Sequence, residues 1–582
     1  MARILASGLI GLALVTGAMS GVFAHPGVAT GARLMLGASR SGAVRAGEVN
    51  LATLPPASPA ELKAAEAGAA PRLAPKSAAQ AAAYQRYVVS HPGALPRGAG
   101  GLLPLVRGPD MYGGGAEPVL LSEGEGLHNT TGSPNVPDPA VAAAPSYVFE
   151  MAEGQLEVFN TAYGLKFGPW TSNQFFATVV RSGDTVLPYP QISYDAERSI
   201  YLISSLEYDV NAPSHTFVDI AISKTGTPSP LTNFYVYQID PNTLYTGTIT
   251  SCQLDTLGYD YWGLYITCPV YNVNDFQNPM FIGNVLMAFS TNNLLKGSLG
   301  RWDAWFNVPT SLNCGSGCTP AYWLSPVQED GVPQAEWVIA TDQSNSATSQ
   351  NLTVCALTNT IILGSIAQPT FTCGLNTLPL TYNDPAFASV PGASGALDTG
   401  FGFKQLAYRD GQLYVAISLA MTCSNSVTQD GILWAAVDPQ LTTFAAHNPQ
   451  WVNGIATSFT NAGYFCMQNA DLYTPVLVAG TEGDMALAFG ASSATIYPSV
   501  YFTGRAAEDA PGTMGQGEAS HVVVSGQSVS VSGASVWGFY SACSLTTNLV
   551  SRSIVYCANQ FNGPAAHSGP GWDTELYALR ME

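Results

Sequence analysis

The chain has 582 residues with 21 basic and 40 acidic side chains, and its formal charge of −19 at pH 7 argues against nucleic acid or anionic membranes as partners. Only 10% of its residues are charged, whereas typical soluble domains have about 25%. Residues 25–109 carry nine basic and three acidic side chains, and residues 110–582 carry eleven and 37, so the acidity belongs to the second region. Because carboxylates gain protons near about pH 4 and their mutual repulsion then fades, we expect the protein to work in an acidic medium.

The first 24 residues predict a secretory signal peptide. Arg3 precedes a long run of apolar and small residues, and the sequence Val-Phe-Ala at 22–24 fits a small-residue cleavage site before His25. A membrane anchor is the alternative, but no stop-transfer pattern follows the run, and no second run is long enough to span a bilayer. We therefore expect a secreted protein, extracellular or periplasmic, without a membrane span.

Residues 25–117 predict a pro-segment or flexible arm that ends in a linker. The stretch 58–90 has a helical composition, and Ser58, Pro59 and Glu61 form a pattern typical of a helix N-terminus. This low-complexity, partly helical arm has too few large apolar residues to build a core. The Gly-rich stretch that follows it is typical of a linker.

Residues 118–582 predict an all-β domain, because short runs of Val, Ile, Tyr, Phe and Thr alternate with clusters of Gly, Asn, Asp and Pro. A loose unit of two strands around a turn begins seven times, at residues 138, 189, 254, 320, 403, 473 and 537. A propeller blade needs about 40–50 residues plus loops, so the spacing predicts a seven-bladed β-propeller. A set of unrelated β-sandwiches is the alternative. Since the last unit is short, a strand from residues 118–135 is expected to close the ring.

Ten cysteines, an even number in a chain expected to be exported, predict disulfide bonds. The motifs C-x-x-C and C-x-x-C-H are absent, which disfavours a thioredoxin-like site, a zinc ribbon and covalent haem. The sequence does not fix the connectivity. Joining neighbours in chain order gives the simplest set: Cys252–Cys268, Cys314–Cys318, Cys355–Cys373, Cys423–Cys466 and Cys543–Cys557.

Acidic side chains are the main candidates for catalysis, because the motifs H-E-x-x-H, G-x-S-x-G and G-K-[ST] are absent. The candidates lie on predicted strand ends or loops: Asp195, Glu207, Asp209, Asp255, Asp260, Glu329 and Asp330. Two carboxylates about 5–10 Å apart can hydrolyse a glycosidic bond. The alternative, commoner for Asp in propeller turns, is that they accept hydrogen bonds from backbone amides.

Side chains that could hold a ligand occur near these carboxylates. Four aromatic rings are candidates for stacking on a sugar, with packing between blades as the alternative: Tyr259, Tyr261, Trp262 and Trp323. Arg505 could hold a ligand carboxylate, but a fixed pair with Glu508 or Asp509 is favoured. No metal site or other cofactor is predicted. Calcium is left open by residues 272–278, although they lack the regular ligand alternation of a calcium loop.

Three stretches of the predicted propeller occur in an order known from other proteins. They are "DPAVAAAPSYVFEMAEGQLEVFN", "DTLGYDYWGLYITCPVYN", and "YPSVYFTGR" followed by "WGFYSA". They resemble the Asp-Pro-x-Val opening unit, an internal unit, and the Trp-Gly-x-Tyr-Ser closing unit of a class of secreted bacterial and archaeal β-propeller proteins, most of unknown activity. The resemblance covers about residues 138–579 and implies the propeller fold. Phe539 and Tyr189 stand where that class usually has Asp, so the resemblance implies no metal site.

We expect a non-catalytic binding or surface-associated protein of an acidic extracellular medium, with a glycan or a protein as partner. The alternative is a carbohydrate-active hydrolase or lyase with paired carboxylates at the mouth of the propeller channel. Sulfur-compound chemistry is a third hypothesis, suggested only by the inferred habitat. Carboxylates and aromatics converging in one open pocket would favour the enzyme, and a plugged channel would contradict it. The sequence predicts neither the oligomeric state nor whether the arm is removed.

Overall fold

The structure is a computed structural model that describes most of the chain beyond its first 35 residues. The described residues are 36–67, 118–129, 137–164, 166–187, 189–209, 215–224, 233–244, 250–253, 255–274, 280–308, 321, 323–329, 334–341, 349–400, 402, 405–423, 427–441, 455–480, 483–515, 520–527, 535–547, 553–563 and 572–581. They form an all-β protein with a β-propeller arrangement. The predicted signal peptide, Cys314, Cys318 and Asp330 lie outside the described residues.

Four elements precede the first blade. They are β1 (Leu36–Ser41), β2 (Arg45–Asn50), α1 (Pro59–Ala67) and β3 (Val119–His128). The predicted start of α1 is confirmed, because the Ser58 N–H and hydroxyl both donate to Glu61 Oε2 at 2.7 Å and the Glu61 N–H donates back to Ser58 Oγ at 3.3 Å.

The first three groups of antiparallel strands are units 1 to 3. Unit 1 contains β4 (Ala140–Ala143), β5 (Tyr147–Ala152), β6 (Gln155–Asn160) and β7 (Lys166–Thr171), and the short helix α2 (Ser172–Phe175) follows it. Unit 2 contains β8 (Thr185–Val186), β9 (Gln191–Asp195), β10 (Ile200–Tyr208), β11 (Thr216–Ser223) and β12 (Asn233–Ile239), with a 3-10 turn at Pro241–Leu244. Unit 3 contains β13 (Thr250–Cys252), β14 (Thr256–Tyr259), β15 (Gly263–Asn272), β16 (Met280–Ser290), α3 (Thr291–Leu294) and β17 (Arg301–Phe306).

The remaining strands form units 4 to 7 and one small sheet. Unit 4 contains β18 (Trp323–Pro326), β19 (Gln328–Glu329), β20 (Ala335–Thr341), β21 (Ser349–Thr358), a 3-10 turn (Thr360–Ile362) and β22 (Thr370–Tyr382); β23 (Ala388–Val390) and β24 (Ala393–Asp398) follow. Unit 5 contains β25 (Ala407–Arg409), β26 (Gln412–Thr422), β27 (Thr428–Leu441) and β28 (Ile455–Phe465). Unit 6 contains β29 (Asp471–Ala479), β30 (Met485–Ser492), β31 (Ser499–Arg505) and β32 (His521–Val524). After β33 (Ser535–Val536), which pairs with β24, unit 7 contains β34 (Ala542–Thr547), β35 (Ser553–Phe561) and β36 (Asp573–Arg580).

The sheet pattern corrects the predicted number of blades. Counted as separate sheets of four to six strands, units 1, 2, 4, 6 and 7 give five blades within the described residues, not seven. The stretches predicted as the third and fifth blades belong to one 11-stranded sheet. They are joined by β19, which pairs in parallel with β14 through Gln328 and Tyr259 and with β25 through Gln328 and Ala407.

The innermost strands of the units contact one another in chain order around a ring. β4 contacts β9, β9 contacts β14, and β14 contacts β18; β19 then contacts β25, β25 contacts β29, β29 contacts β34, and β34 returns to β4. The expected closing strand is confirmed, because β3 pairs antiparallel with β36 at the outer edge of unit 7. The start of the β domain and its end therefore share one sheet, which closes the ring.

The strands are buried on both faces because each unit packs between two neighbours. All eight residues of β11, with the sequence TFVDIAIS, are buried, and so are all seven of β20, AEWVIAT. Continuous apolar runs of this length indicate strands in the interior of packed sheets. Acidic residues within such runs are consequently carried into the core.

Residues 36–67, which we call the strap, differ from the flexible arm that the sequence predicts. β1 pairs antiparallel with β17, and β2 pairs antiparallel with β12, so the strap adds an outer strand to units 3 and 2. Helix α1 then contacts β7 of unit 1. The edge strands have free backbone groups that another strand can pair with, which explains this outcome for a segment with few large apolar side chains.

Four of the five predicted disulfide bonds are confirmed: Cys252–Cys268, Cys355–Cys373, Cys423–Cys466 and Cys543–Cys557. In two of them the cysteines lie directly opposite each other on adjacent strands, β21 with β22 and β34 with β35. Each described bond thus links two residues that lie in or directly beside the strands of a single unit.

Candidate functional site

Aromatic side chains fill the centre of the ring at the end where the inner strands begin. Tyr189, Trp323, Phe539 and Tyr540 are all at most 4% exposed. The Tyr540 hydroxyl donates to the Asp255 carbonyl at 3.0 Å, and its ring lies 6.4 Å from that of Trp323. Because Tyr540 precedes unit 7, whereas Asp255 and Trp323 begin units 3 and 4, these contacts cross the ring rather than follow it.

Phe539 is fixed within this cluster of aromatic side chains by contacts of both its main chain and its ring. The carboxylate of Asp138 accepts hydrogen bonds from the Phe539 N–H at 2.5 Å and the Tyr540 N–H at 3.1 Å. Gly400 adopts φ +70°, and a Cβ there would lie 2.0 Å from the Phe539 ring. The apolar ring at 539 therefore packs tightly into the centre.

A glutamine makes a second connection across the ring. The Gln405 side chain, at the start of unit 5, donates to Gln328 Oε1 at 3.1 Å and to the Cys543 carbonyl, and it accepts from the Cys543 N–H at 2.8 Å. Units 5 and 7 are not neighbours in the ring. Aromatic and amide side chains thus bridge the channel. The paired carboxylates that the hydrolase alternative requires at the channel mouth do not occupy these bridging positions.

Asp255 is buried beside the aromatic closure. Its Oδ2 accepts a hydrogen bond from the Ser204 hydroxyl at 2.6 Å, and the residue is fully buried. Burial raises the pKa of Asp255 to about 7, although the Ser204 hydrogen bond acts in the opposite direction. The side chain is therefore protonated in the folded protein at acidic pH and cannot reach a substrate.

Three buried carboxyl groups meet where units 3 and 4 join. Asp260 Oδ1 accepts from the N–H groups of Trp262 at 2.8 Å and Gly263 at 2.6 Å, and its Oδ2 accepts from the Thr360 hydroxyl at 2.7 Å. Glu329 accepts from the Trp337 N–H at 2.9 Å. The structure thus brings two predicted candidates together, but as acceptors for turns and strand ends, which was the alternative interpretation.

The third member of this group is Glu336, whose Oε1 accepts from the Val327 N–H at 3.0 Å. Burial raises the pKa of Asp260, and it raises the pKa values of Glu329 and Glu336 well above their usual range, with mutual repulsion adding to the effect. At most 1% of each side chain is exposed. Burial therefore favours the protonated form of each of these carboxyl groups.

A second group of buried carboxyls surrounds Glu207 in unit 2. Glu207 accepts from the Arg181 N–H at 3.2 Å and from the Gln238 amide at 2.5 Å. Burial raises its pKa to about 7 and raises that of Asp219 well above the usual range, and neighbouring Asp184 adds to both effects. All three carboxyls are at most 4% exposed, so this group is also structural.

The other carboxylate candidates are separate from these groups. Asp195, at the end of β9, is 2% exposed and accepts from the Arg198 N–H at 3.0 Å within its turn. Asp209 lies 3.6 Å from the Arg181 guanidinium. Asp330 stays a prediction because it lies outside the described residues.

The four aromatic candidates divide into two kinds. Tyr259 and Trp323 are buried, and the Tyr259 hydroxyl donates to the Tyr194 carbonyl at 2.9 Å. Tyr261 and Trp262 are half-buried in the turn between β14 and β15, with ring centroids 4.8 Å apart. Only the second pair reaches the surface.

Arg198 supports this pair, which we call the Tyr261–Trp262 platform. Its guanidinium lies 4.1 Å from the centre of the Tyr261 ring, and its Nε donates to the Tyr261 carbonyl at 2.6 Å. Its Nη1 donates to Asn292 Oδ1 at 3.2 Å. Since Asp260 holds the Trp262 N–H, a buried carboxyl fixes the turn that presents the platform.

Arg505 is buried and bonded within its own turn. It is 2% exposed, and its Nη2 donates to the Asp509 main-chain carbonyl at 2.6 Å, while its guanidinium lies 5.7 Å from the centre of the Trp434 ring. The favoured interpretation, a fixed contact within its own turn, is therefore right about the partner residue. The accepting atom is the carbonyl rather than the predicted carboxylate.

Sequence reasoning missed several buried carboxyls. Asp219 and Glu336 stand inside the apolar strands β11 and β20, and Glu150 stands inside β5 with the sequence YVFEMA. Burial raises the pKa of Glu150 to about 7. The available signal was an acidic residue within a continuous apolar run, which places it in the core whichever face it points to.

Neither a metal-binding group nor a membrane helix is found in the part of the chain that the structure describes. No three His, Cys, Asp or Glu side chains there are arranged to hold a metal ion. No helix among the described ranges has the length and apolar character to cross a membrane. Residues 275–279 lie outside these ranges, so the calcium alternative stays untested.

Comparisons with known proteins give structural likeness only. No family model and no curated protein matches the sequence. A protein of unknown function from Dyadobacter fermentans is 12% identical at TM-score 0.29, covering 68% of this chain and 94% of its own. The Cellvibrio cellulosa α-L-arabinanase complexed with arabinohexaose is 10% identical at TM-score 0.26, covering 65% and 95%. Trypanosoma rangeli sialidase is 9% identical at TM-score 0.30, covering 67% of this chain, which spans 54% of the sialidase. Likeness at this level carries no argument about activity.

Proposed function

We propose that this protein is a secreted, non-catalytic β-propeller that binds an extracellular partner in an acidic medium. The observation that carries the proposal is the burial of five of the seven candidate carboxyls. Asp195, Glu207, Asp255, Asp260 and Glu329 are each at most 2% exposed. A catalytic acid or base must come within hydrogen-bonding reach of its substrate, and these groups are instead bonded to the protein's own backbone and hydroxyls.

The acidic medium is supported by the chemistry of the same groups. A carboxyl whose pKa is raised on folding stabilises the fold below its unfolded pKa, and that contribution is lost as the pH rises through the folded value. Burial raises the pKa of Glu575 to about 8, besides the values of about 7 for Glu150, Glu207 and Asp255. Such a fold is more stable in a medium near about pH 4, and its stability falls as the pH rises towards 7.

The propeller arrangement itself is supported by the ring contacts, in which unit 4 lies between units 3 and 5. Units 3 and 5 share one sheet through the short parallel pairing of β19, which is why the separate sheets number five within the described residues. Secretion is supported by the apolar N-terminal run in the sequence and by four disulfide bonds.

The Tyr261–Trp262 platform is the surface to which we assign the partner. Its rings are half-buried and held by Arg198, and Asn292 beside it is exposed. Flat aromatic faces next to amide and guanidinium donors suit a sugar ring, which offers apolar C–H faces and hydroxyls together. A glycan is therefore the partner that this surface fits best.

The secreted protein is to be tested with a polysaccharide panel at pH 3–5, once for products and once for binding. We expect no products above the blank, and binding that Trp262→Ala weakens at least tenfold. Met280→Ala is the matched control, because Met280 is 54% exposed at the opposite end of unit 3. Sugar release above the blank that is equal in Trp262→Ala, in Met280→Ala and in the unchanged protein would support the hydrolase alternative instead.

A further inference from the structure

The outer edges of units 2 and 3 are covered by a segment that comes from far away in the sequence. β2 follows β12 over six residue pairs, from Asn50 opposite Asn233 to Arg45 opposite Gln238. β1 follows β17 over six more, from Leu36 opposite Phe306 to Ser41 opposite Arg301. Without the strap, both edges would present unpaired backbone groups, which are templates for strand addition.

Main-chain hydrogen bonds continue through the turn between the two strands. The Gly42 N–H donates to the Gly300 carbonyl and the Val44 N–H to the Gln238 carbonyl, both at 2.8 Å. The Arg45 guanidinium donates to the carbonyls of Val179 at 3.3 Å and Val180 at 3.1 Å. The strap is therefore held mainly by main-chain hydrogen bonds, as in other cases where a strand is added to the edge of a sheet.

A few side chains fix the register. Val49, Leu51 and Leu62 are the buried large apolar residues of the strap, at most 7% exposed. At Gly47 a Cβ would lie 2.4 Å from the Thr178 hydroxyl oxygen, so only glycine fits there without a shift. By contrast, Val44 is 48% exposed. The site is thus specific for this segment, although most of the segment's side chains face solvent.

The strap adds only a few side chains to the core, where Val49 and Leu51 pack in the apolar cluster that units 1 and 2 share. Its two strands occupy edges that complete four-stranded units already provide, and the 50 residues from 68 to 117 separate it from β3. The Gly-rich end of this stretch predicts a linker, and a flexible chain of 50 residues has a root-mean-square span of about 40 Å. A connection of this length would allow the strap of one copy to reach the edge strands of another.

We propose that the outer edges of β12 and β17 form a strand-acceptor site, and that residues 36–67 of a second copy of this chain occupy it in place of the chain's own strap. Copies joined in this way exchange identical segments, as in domain swapping, at little cost in contacts. The site thereby joins copies of the protein through their own N-terminal regions.

The test uses the full chain with a protease site inserted after Gly100. After cleavage we expect the N-terminal fragment to co-elute with the propeller in gel filtration. A labelled synthetic peptide of residues 36–67, added in excess, should replace it. The same peptide carrying Gly47→Val should bind at least tenfold more weakly, whereas the control peptide carrying Val44→Ala should bind like the unchanged one.

Three results of this experiment would overturn the acceptor site. They are failure of the unchanged peptide to enter, equal entry of the Gly47→Val peptide, and unfolding of the propeller on cleavage. Exchange between copies has its own readout, in which two differently tagged full-length chains are co-expressed and one tag is captured. We expect the second tag to co-purify and to be released by excess peptide. Peptide exchange without co-purification would contradict the second copy as occupant.

Discussion

Replacing Asp255 by Asn tests whether a buried carboxyl makes the fold prefer acid. In the folded protein burial raises the pKa of Asp255 from 3.8 to about 7, and one pKa unit corresponds to about 1.4 kcal/mol. Below about pH 4 the carboxyl is protonated in both the folded and the unfolded chain, so its contribution is fully present. As the pH rises to 7 the unfolded chain releases the proton first, and this one group costs up to about 4 kcal/mol of stability.

Asn cannot release a proton, so Asp255→Asn removes this pH dependence. We expect the free energy of unfolding of the variant, relative to the unchanged protein, to rise by about 4 kcal/mol between pH 3 and pH 8. The unpaired amide hydrogen of Asn costs about 1–3 kcal/mol at every pH, so the slope is the informative quantity. Urea unfolding followed by tryptophan fluorescence at four pH values measures it.

The matched control is Asp410→Asn in an exposed turn of unit 5, where φ is +49° and Asn is well tolerated. We expect this control to leave the slope unchanged. A difference between Asp255→Asn and the unchanged protein that stays constant from pH 3 to pH 8 would refute the reasoning.

Two further predictions concern stability at a single acidic pH, measured by urea unfolding. Phe539→Ala leaves a cavity in the closed centre of the ring and should cost about 3–5 kcal/mol, and a loss below about 1 kcal/mol would mean that the ring does not fill it. Removing the Cys423–Cys466 bond, with a sequence separation of 43, should cost about 4 kcal/mol, against about 3 kcal/mol for Cys543–Cys557 with a separation of 14. The reverse order would contradict the chain-entropy explanation.

The recurring unit of two strands around a turn and the pairing of neighbouring cysteines were predictable from the sequence, because both depend on residues close together in the chain. Cys543 and Cys557 lie on strands that follow each other in the chain, and adjacent antiparallel strands bring such residues opposite each other. The closing strand β3 was predictable from the short final unit. The parallel pairing of Gln328 with Tyr259 was not, since contacts between neighbouring inner strands depend on how the ring closes.

The sequence predicted that the candidate site contains acidic residues, but not that these residues are buried. Asp260 and Glu329 do come together, yet both lie below the surface, and burial depends on packing between units rather than on neighbours in the sequence. The strap was missed for a related reason. Residues such as Arg45 and Glu48 have no strand-like pattern of their own, and the edge of β12 imposes their extended form.

If the fold is built around carboxyl groups that keep their protons, its stability falls as the pH rises from 3 to 7. The most direct measurement is the melting temperature of the full chain at these two pH values. Glu150, Glu207, Asp255 and Glu575, with pKa values raised to about 7 or 8, all contribute in the same direction. We predict a higher melting temperature at pH 3 than at pH 7. A higher melting temperature at pH 7 would contradict the account.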